Sequence, residues 1–273
     1  MKEKILEVKD LCFSYDEEHP ILHNVNATFY KGEKIAVIGN NGAGKSTFFL
    51  NLNGVRIPSS GEIICKNQVI NKKNRNELRK TVGIVFQDAD MQIIASTVED
   101  EVAFGPLNMK LSKQEVMDRT NKAIEDMELE NFRHRPPHYL SGGEKKRVSI
   151  AGILAMDTPV VIFDEPTASL DPANVEILEN TISEMEKQEK TILISTHDLD
   201  FAYRFAERVL VFNDGCIIAD GTPEEVFKRE EVLKKANLKK PLLLQIYDAL
   251  EKRKVVYNQG VCPHTIEELI KIL

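Results

Sequence analysis

Gly39-Asn40-Asn41-Gly42-Ala43-Gly44-Lys45-Ser46 restricts the fold of this chain more than any other stretch. It fits the G-x-x-x-x-G-K-S pattern of a phosphate-binding loop, which works only between a strand and a helix. Both are expected here. Residues 35–38 form a short apolar run before the loop, and residues 46–52 carry a helical pattern after it. Glycines let the backbone wrap close to a phosphate, and unpaired N–H groups at the helix N-terminus point at the anion. Lys45 is placed to neutralise β- and γ-phosphates and the Ser46 hydroxyl to ligate Mg²⁺. The expected nucleotide contacts are therefore Gly39, Asn40, Asn41, Gly42, Ala43, Gly44, Lys45, Ser46 and Thr47. A bare Gly-rich turn would have no need of a Lys-Ser pair directly after its last glycine.

Further apolar runs at 82–86, 160–163 and 192–194 resemble the one at 35–38. Such runs suit parallel strands buried on both faces, and the helical patterns between them argue for βα units. Residues 6–13 and 25–30 instead alternate apolar with polar, as half-exposed antiparallel strands do. Between 97 and 157 the pattern is helical, with Ser112 placed to cap a helix through about residue 127. Residues 209–212 and 216–219 read as a strand pair joined by Asn213-Asp214-Gly215. From Pro223 onward the chain is helical and more charged. The expected fold class is α/β: a P-loop NTPase core with a mostly parallel sheet, an N-terminal antiparallel β-subdomain, a helical subdomain over about 90–157, and a C-terminal helical extension. Residues 1–222 form the expected main domain and 223–273 the extension.

Bulk properties narrow the function. The net charge of −7 gives no electrostatic footprint for nucleic acid, so an anionic ligand must be held locally. The longest apolar stretch, residues 150–156, is seven residues, whereas a bilayer-spanning helix needs roughly 20. Met1-Lys2-Glu3-Lys4 leads into an alternating strand without the apolar core of a signal peptide, so a cytoplasmic location is expected. Cys12, Cys65, Cys216 and Cys262 are far apart, form no Cys-x-x-Cys pair, and read as reduced packing residues.

The run at 160–163 ends in Asp164-Glu165. Two carboxylates on a buried strand are costly unless they meet a cation or have chemistry to do. Asp164 can hold Mg²⁺ through its water shell, and Glu165 can orient or deprotonate an attacking water. A helix cap before Pro166 is the structural alternative, weakened by the presence of a phosphate loop in the same chain.

Leu140-Ser141-Gly142-Gly143-Glu144-Lys145-Lys146-Arg147 separates the P-loop families. Ser141 and Glu144 form a capping box before an apolar helix expected to start near Val148. That leaves Gly142-Gly143 unexplained, and two glycines at a helix start expose N–H groups to an incoming anion. The stretch closely resembles the signature motif of ABC (ATP-binding cassette) ATPases, and the likeness covers nearly all of residues 1–222. It implies further roles. Tyr15 stacks on adenine, Gln87 senses Mg²⁺ and water, Ser169-Leu170-Asp171 is a loop crossing a dimer interface, and His197 contacts the γ-phosphate. Asn40, where proline is common, and Glu144, where glutamine is commoner, depart from the pattern without removing a ligand-binding group. The resemblance also implies that two such domains face head to tail. ATP lies between them, and Ser141, Gly142 and Gly143 of one close over the γ-phosphate bound by the other.

Gln87-Asp88-Ala89-Asp90-Met91-Gln92 and the run from Thr97 to Gly105 look like the energy-coupling-factor group of importers, with the cobalt-type ATPase most similar. This implies ATP and Mg²⁺ as cofactors. It also implies integral membrane coupling and substrate-binding subunits as partners, a place on the cytoplasmic face of the membrane, and cobalt, nickel or a vitamin as cargo. The ATPase of another transporter, or an ABC ATPase acting on DNA or ribosomes, would share the catalytic residues; the acidic charge argues against the latter. Met91, Ile93, Ile94, Val98, Val102 and Phe104 make residues 88–104 unusually apolar, as expected of a groove that receives a partner helix. Leu242, Leu243, Ile246, Leu250, Ile266 and Leu269 form apolar stripes in the extension, expected to serve dimerisation with the same or a related cassette.

Overall fold

A computed structural model describes residues 2–16, 19–168, 170–256 and 262–273. Strands β1 (Lys4–Ser14) and β2 (Pro20–Tyr30) lead into β3 (Lys34–Gly39), which feeds helix α1 (Lys45–Leu52). Next come β4 (Ser60–Cys65), β5 (Gln68–Val69), α2 (Asn76–Thr81) and β6 (Val82–Val85). A helical layer follows, made of α3 (Val98–Asn108), α4 (Lys113–Asp126) and α5 (Gly142–Met156). The chain returns through β7 (Val160–Asp164), α6 (Pro172–Lys187), β8 (Thr191–Ser195), α7 (Leu199–Phe205), β9 (Arg208–Asn213) and β10 (Cys216–Gly221). It closes with α8 (Pro223–Phe227), α9 (Glu230–Lys235), α10 (Leu242–Lys252) and α11 (Ile266–Ile272).

The α/β expectation holds. One sheet runs β2-β1-β4-β5 and is antiparallel; the other runs β10-β9-β3-β8-β7-β6 and is parallel except for the β10 edge. Every residue of β6, β7 and β8 is buried, which is why those segments read as continuous apolar runs rather than alternations. Phe48 of α1 packs between the sheets, with ring centroids 6.3 Å from Phe29 and 5.1 Å from Phe212. The parallel strands β3, β6, β7 and β8 all end at one edge of the sheet, the edge where open α/β folds bind ligands.

Several boundaries differ from the sequence expectation, each for a local reason. Helix α5 starts at Gly142, not near Val148, because the Ser141–Glu144 capping box already satisfies its first N–H groups; the two glycines form its first turn. Helix α2 carries no long apolar period and was not expected. In the β9–β10 hairpin the turn is Asp214-Gly215, at φ 45° and 73°, with Asn213 still in the strand. Val98 and Val102 are wholly buried on the inner face of α3, and Ile93 packs on the same cluster, leaving Met91, Ile94 and Phe104 exposed. Residues 88–104 are thus core on one side and surface on the other.

The extension divides similarly. Leu244, Tyr247 and Leu269 enter a cluster with Ala36, Ile38 and Tyr203, and Leu243 and Leu250 pack against it. Leu242, Ile246 and Ile266 stay exposed, joined by Ile270. Among the described residues no helix is long and apolar enough to cross a membrane, and all four cysteines are free.

Candidate active site

Strand β3 delivers Gly39 into contact with the Phe212 carbonyl. A Cβ there would lie 2.2 Å from that oxygen, and φ is 147°, so only glycine fits. Gly44, at φ 101°, is the left-handed N-cap from which α1 departs. Lys45 is buried, and its Nζ donates to the carbonyls of Gly39 (2.7 Å) and Asn40 (3.1 Å), so the ammonium braces the loop that it helps to form. Burial lowers its pKa, while Glu165 and Asp164 oppose the shift.

Strands β7 and β8 pair in parallel with Asp164 opposite Ser195. The Ser195 hydroxyl donates to Asp164 Oδ1 at 2.5 Å and accepts from the Glu165 N–H at 2.9 Å, fixing both acidic residues at the strand end. Glu165 sits at φ 46°, an uncommon conformation for a side-chain-bearing residue, and it turns the chain out of the strand. Its Oε2 accepts from the His197 backbone N–H at 3.2 Å. Its Oε1 lies 3.2 Å from His197 Nε2, in poor alignment, and has no hydrogen-bond donor among the described residues. Burial raises the Glu165 carboxyl above its ordinary range; His197 and Lys45 act against this. A buried, orphaned carboxylate oxygen with raised basicity is suited to taking a proton from water.

A cleft of about 320 Å³ brings Lys45, Ser46, Gln87, Asp164, Glu165 and His197 together with Asn41, Gly42, Ala43, Gly44 and Thr47 of the loop. Tyr15 stands beside it. Its hydroxyl is 3.4 Å from Thr47 Oγ1, its ring meets Phe13 edge-on at 5.0 Å, and the Arg56 guanidinium lies 5.1 Å from the ring centroid. Ser141, Gly142, Gly143 and Asp171 do not line the cleft. Ser141 caps α5, Asp171 caps α6, and the two ends touch through Asn174. Asn174 Nδ2 donates to Asp171 Oδ2 at 2.9 Å and would be 2.7 Å from a Cβ on Gly143. The Asn174 N–H holds the Asp171 carboxyl below its usual range. Ser169, the first residue of the expected interface loop, lies outside the described residues.

For Mg²⁺, the donor set fits. Ser46, Gln87 and Asp164 offer hard oxygens in the cleft, while no cluster of three or more His, Cys, Asp or Glu is arranged to hold a metal among the described residues. Few protein ligands, supplemented by phosphate and water, are what Mg²⁺ takes. Two positions were not singled out from the sequence. Ser195 is wholly buried at the end of an apolar strand, and Lys146 is buried with its Nζ donating to the Phe86 and Gln87 carbonyls. A hydroxyl closing an apolar run was the available signal for the first. For the second, a lysine among other lysines gave none.

Residues 22–168 match the family described as ABC transporter. The chain is 44% identical to the energy-coupling factor transporter ATP-binding protein EcfA of Methanococcus maripaludis, over 98% of this chain and 99% of the relative. It is 46% identical to EcfA2 of Methanospirillum hungatei, over 99% of this chain and 68% of that protein. Among solved structures, cbiO1 from Clostridium perfringens, part of the ABC transporter complex cbiONQ, is 41% identical with a TM-score of 0.73, covering 92% of this chain and all (100%) of that one. A dimeric ATP-binding cassette in a post-hydrolysis state with ADP and Pi is 30% identical with a TM-score of 0.71, over 80% of this chain and 99% of that one. With the strand-end cleft, the glycine-rich loop and the capped signature helix in place, the chain belongs to the ABC transporter family as an ATPase, among the energy-coupling-factor ATP-binding proteins.

Proposed function

We propose that this ATPase binds ATP between two cassettes and uses hydrolysis to drive uptake through separate membrane subunits. The observation that carries this reading is the division of the machinery. Lys45, Ser46, Gln87, Asp164, Glu165 and His197 share one cleft, while Ser141–Gly143 and Asp171 form a second surface away from it. A second copy, or a related cassette, supplies the missing side. Ser46, Asp164 and Gln87 hold the Mg²⁺ that neutralises phosphate charge when bound. Lys45 and the loop N–H groups bind the β- and γ-phosphates, Tyr15 takes the adenine, Glu165 accepts the proton of the attacking water, and His197 steadies the γ-phosphate. Phosphoryl transfer then depends mainly on positioning and charge neutralisation.

The membrane partner docks near the exposed half of residues 88–104. Met91 and Ile94 are 78% and 69% exposed, and nearby a depression of about 860 Å³ between α2 and α3 is lined by Arg79, Lys80, Phe104, Met109 and Met156. Phe104, Met109 and Met156 set among charged and amide side chains suit an amphipathic helix. The chain therefore works at the cytoplasmic face of the membrane, and its cargo is cobalt, a related metal ion or a vitamin. Replacing Met91 and Ile94 with glutamate is expected to leave basal hydrolysis within about twofold, because exposed substitutions are usually near neutral for the fold, while membrane recruitment and uptake are lost. Full uptake by the double variant in reconstituted vesicles would remove the docking assignment. Ile93, packed against the core, is unsuited to this test.

We also propose that the exposed apolar side of the extension holds two cassettes together between cycles. Deleting residues 223–273 would strip Tyr203, Ala36 and Ile38 of their cover, so surface changes are the cleaner probe. Ile246→Glu with Ile266→Glu should convert the ATP-free chain from dimer to monomer in sedimentation at micromolar concentration. A monomeric parent chain under the same conditions would end the idea.

A further inference from the structure

Helix α5 presents Ser141, Gly142 and Gly143 at its tip, and one turn further along it is tied to the segment that follows β6. Lys146, only 3% exposed, donates from Nζ to the Phe86 carbonyl at 2.6 Å and the Gln87 carbonyl at 2.9 Å. Lys145 Nζ reaches Asp90 Oδ1 at 2.7 Å. Gln92 Nε2 donates to the Ser149 carbonyl at 3.2 Å, and its Oε1 accepts the Phe86 N–H at 3.0 Å. Residues 145, 146 and 149 lie within little more than one turn of α5, so a single patch of the helix clasps residues 86–92. The Asp90-x-Gln92 pair does not line the ATP cleft; each side chain bonds a residue of this helix, and Gln92 also holds the Phe86 N–H.

An ammonium is an expensive way to fill a buried position, where methionine or leucine would pack without desolvation cost. Burial pushes Lys146 down to about 8, with Asp164, Asp88 and Glu165 holding it against a further fall. What the ammonium supplies is two donated hydrogen bonds at fixed positions, one to the Phe86 carbonyl and one to the carbonyl of Gln87, whose residue lines the cleft. A shift of Gln87 toward or away from a bound nucleotide would pull through this clasp on α5, because its bonds run from loop backbone to helix.

We propose that Lys146, assisted by Gln92, is a positioning residue that links the chain's own ATP cleft to the signature tip of α5, so that Gln87 engagement in one cassette sets how Ser141–Gly143 meets the nucleotide of the other. The proposal rests on the head-to-tail dimer described above.

The test uses the full chain carrying Glu165→Gln, titrated with ATP and followed by sedimentation. Adding Lys146→Met should leave ATP affinity of the single cassette within about threefold but raise the ATP concentration for half-dimerisation about tenfold or more, the scale of one or two lost charged hydrogen bonds. Lys146→Arg, which keeps donors in place, should recover part of the shift. A merely structural lysine would lower the melting temperature and ATP affinity together, and that pattern overturns the proposal, as does an unchanged dimerisation midpoint. Should Lys146→Met fail to fold, Gln92→Leu decides: a shifted midpoint with intact ATP binding supports the clasp, and an unshifted one removes it. If the Glu165→Gln parent itself fails to dimerise with ATP, the dimer reading falls and takes the clasp with it, a failure visible before Lys146 is altered.

Discussion

Glu165→Gln is expected to bind ATP as the parent chain does and to hydrolyse it about 10²–10⁴-fold more slowly, the usual worth of a general base. Glutamine keeps the shape of the side chain and its approach to the His197 N–H, yet cannot accept a proton. The Ser195 hydroxyl still holds Asp164 and the Gly39 carbonyl still holds Lys45, because neither bond involves the Glu165 side chain. The variant should therefore accumulate with ATP bound between two cassettes. pH gives an independent reading. Burial raises the Glu165 carboxyl, and only its deprotonated form acts as a base, so parent turnover should fall with acidification at a pH above the ordinary carboxylate range. The same shift makes the parent less stable as pH rises through that titration, because the charged form is the one that burial disfavours. Glutamine removes that slope in the melting temperature. Steady-state hydrolysis within about threefold of the parent would sink the assignment.

Lys45→Ala is expected to weaken ATP binding by roughly 10- to 100-fold, the value of a charged hydrogen-bond donor facing phosphate, and turnover should drop with it. Two effects combine. The positive charge opposite the phosphates disappears, and the loop loses the donor that bridges the Gly39 and Asn40 carbonyls. His197→Ala provides the contrast. Half-exposed at the mouth of the cleft and tied to Glu165 chiefly through its backbone N–H, it should spare affinity and lose hydrolysis. Calorimetric titration with ATP separates the two, and equal affinity in the Lys45 variant and the parent would contradict the phosphate-loop reading.

Much of this protein was legible in its sequence, because the relevant chemistry is local. A glycine-rich stretch ending in Lys-Ser needs a strand before it and a helix after it, and β3 and α1 are there. Apolar runs buried on both faces gave the parallel strands, and a strand ending in two carboxylates marked the cleft. Capping boxes, hairpin turns and the amphipathic period of α10 are likewise written within a few residues.

The tertiary structure decided what depends on which distant segments meet. Ser195 acquires its place beside Asp164 only through the parallel register of β7 and β8. Lys146 looks like one of several surface lysines until α5 packs on the end of β6 and closes it off from water. The apolar residues of 88–104 and of the extension share one hydropathy, yet Val98, Val102, Leu244 and Leu269 enter cores while Met91, Ile94, Ile246 and Ile266 remain outside. Hydrophobicity records that a side chain avoids water; it does not record which surface relieves it. Sequence alone determined that this chain has a glycine-rich loop ending in Lys-Ser and an acidic strand end. Packing determined that they share a cleft which the chain's own signature helix does not enter, because the start of α5 rests on Asn174 of α6 rather than over the loop.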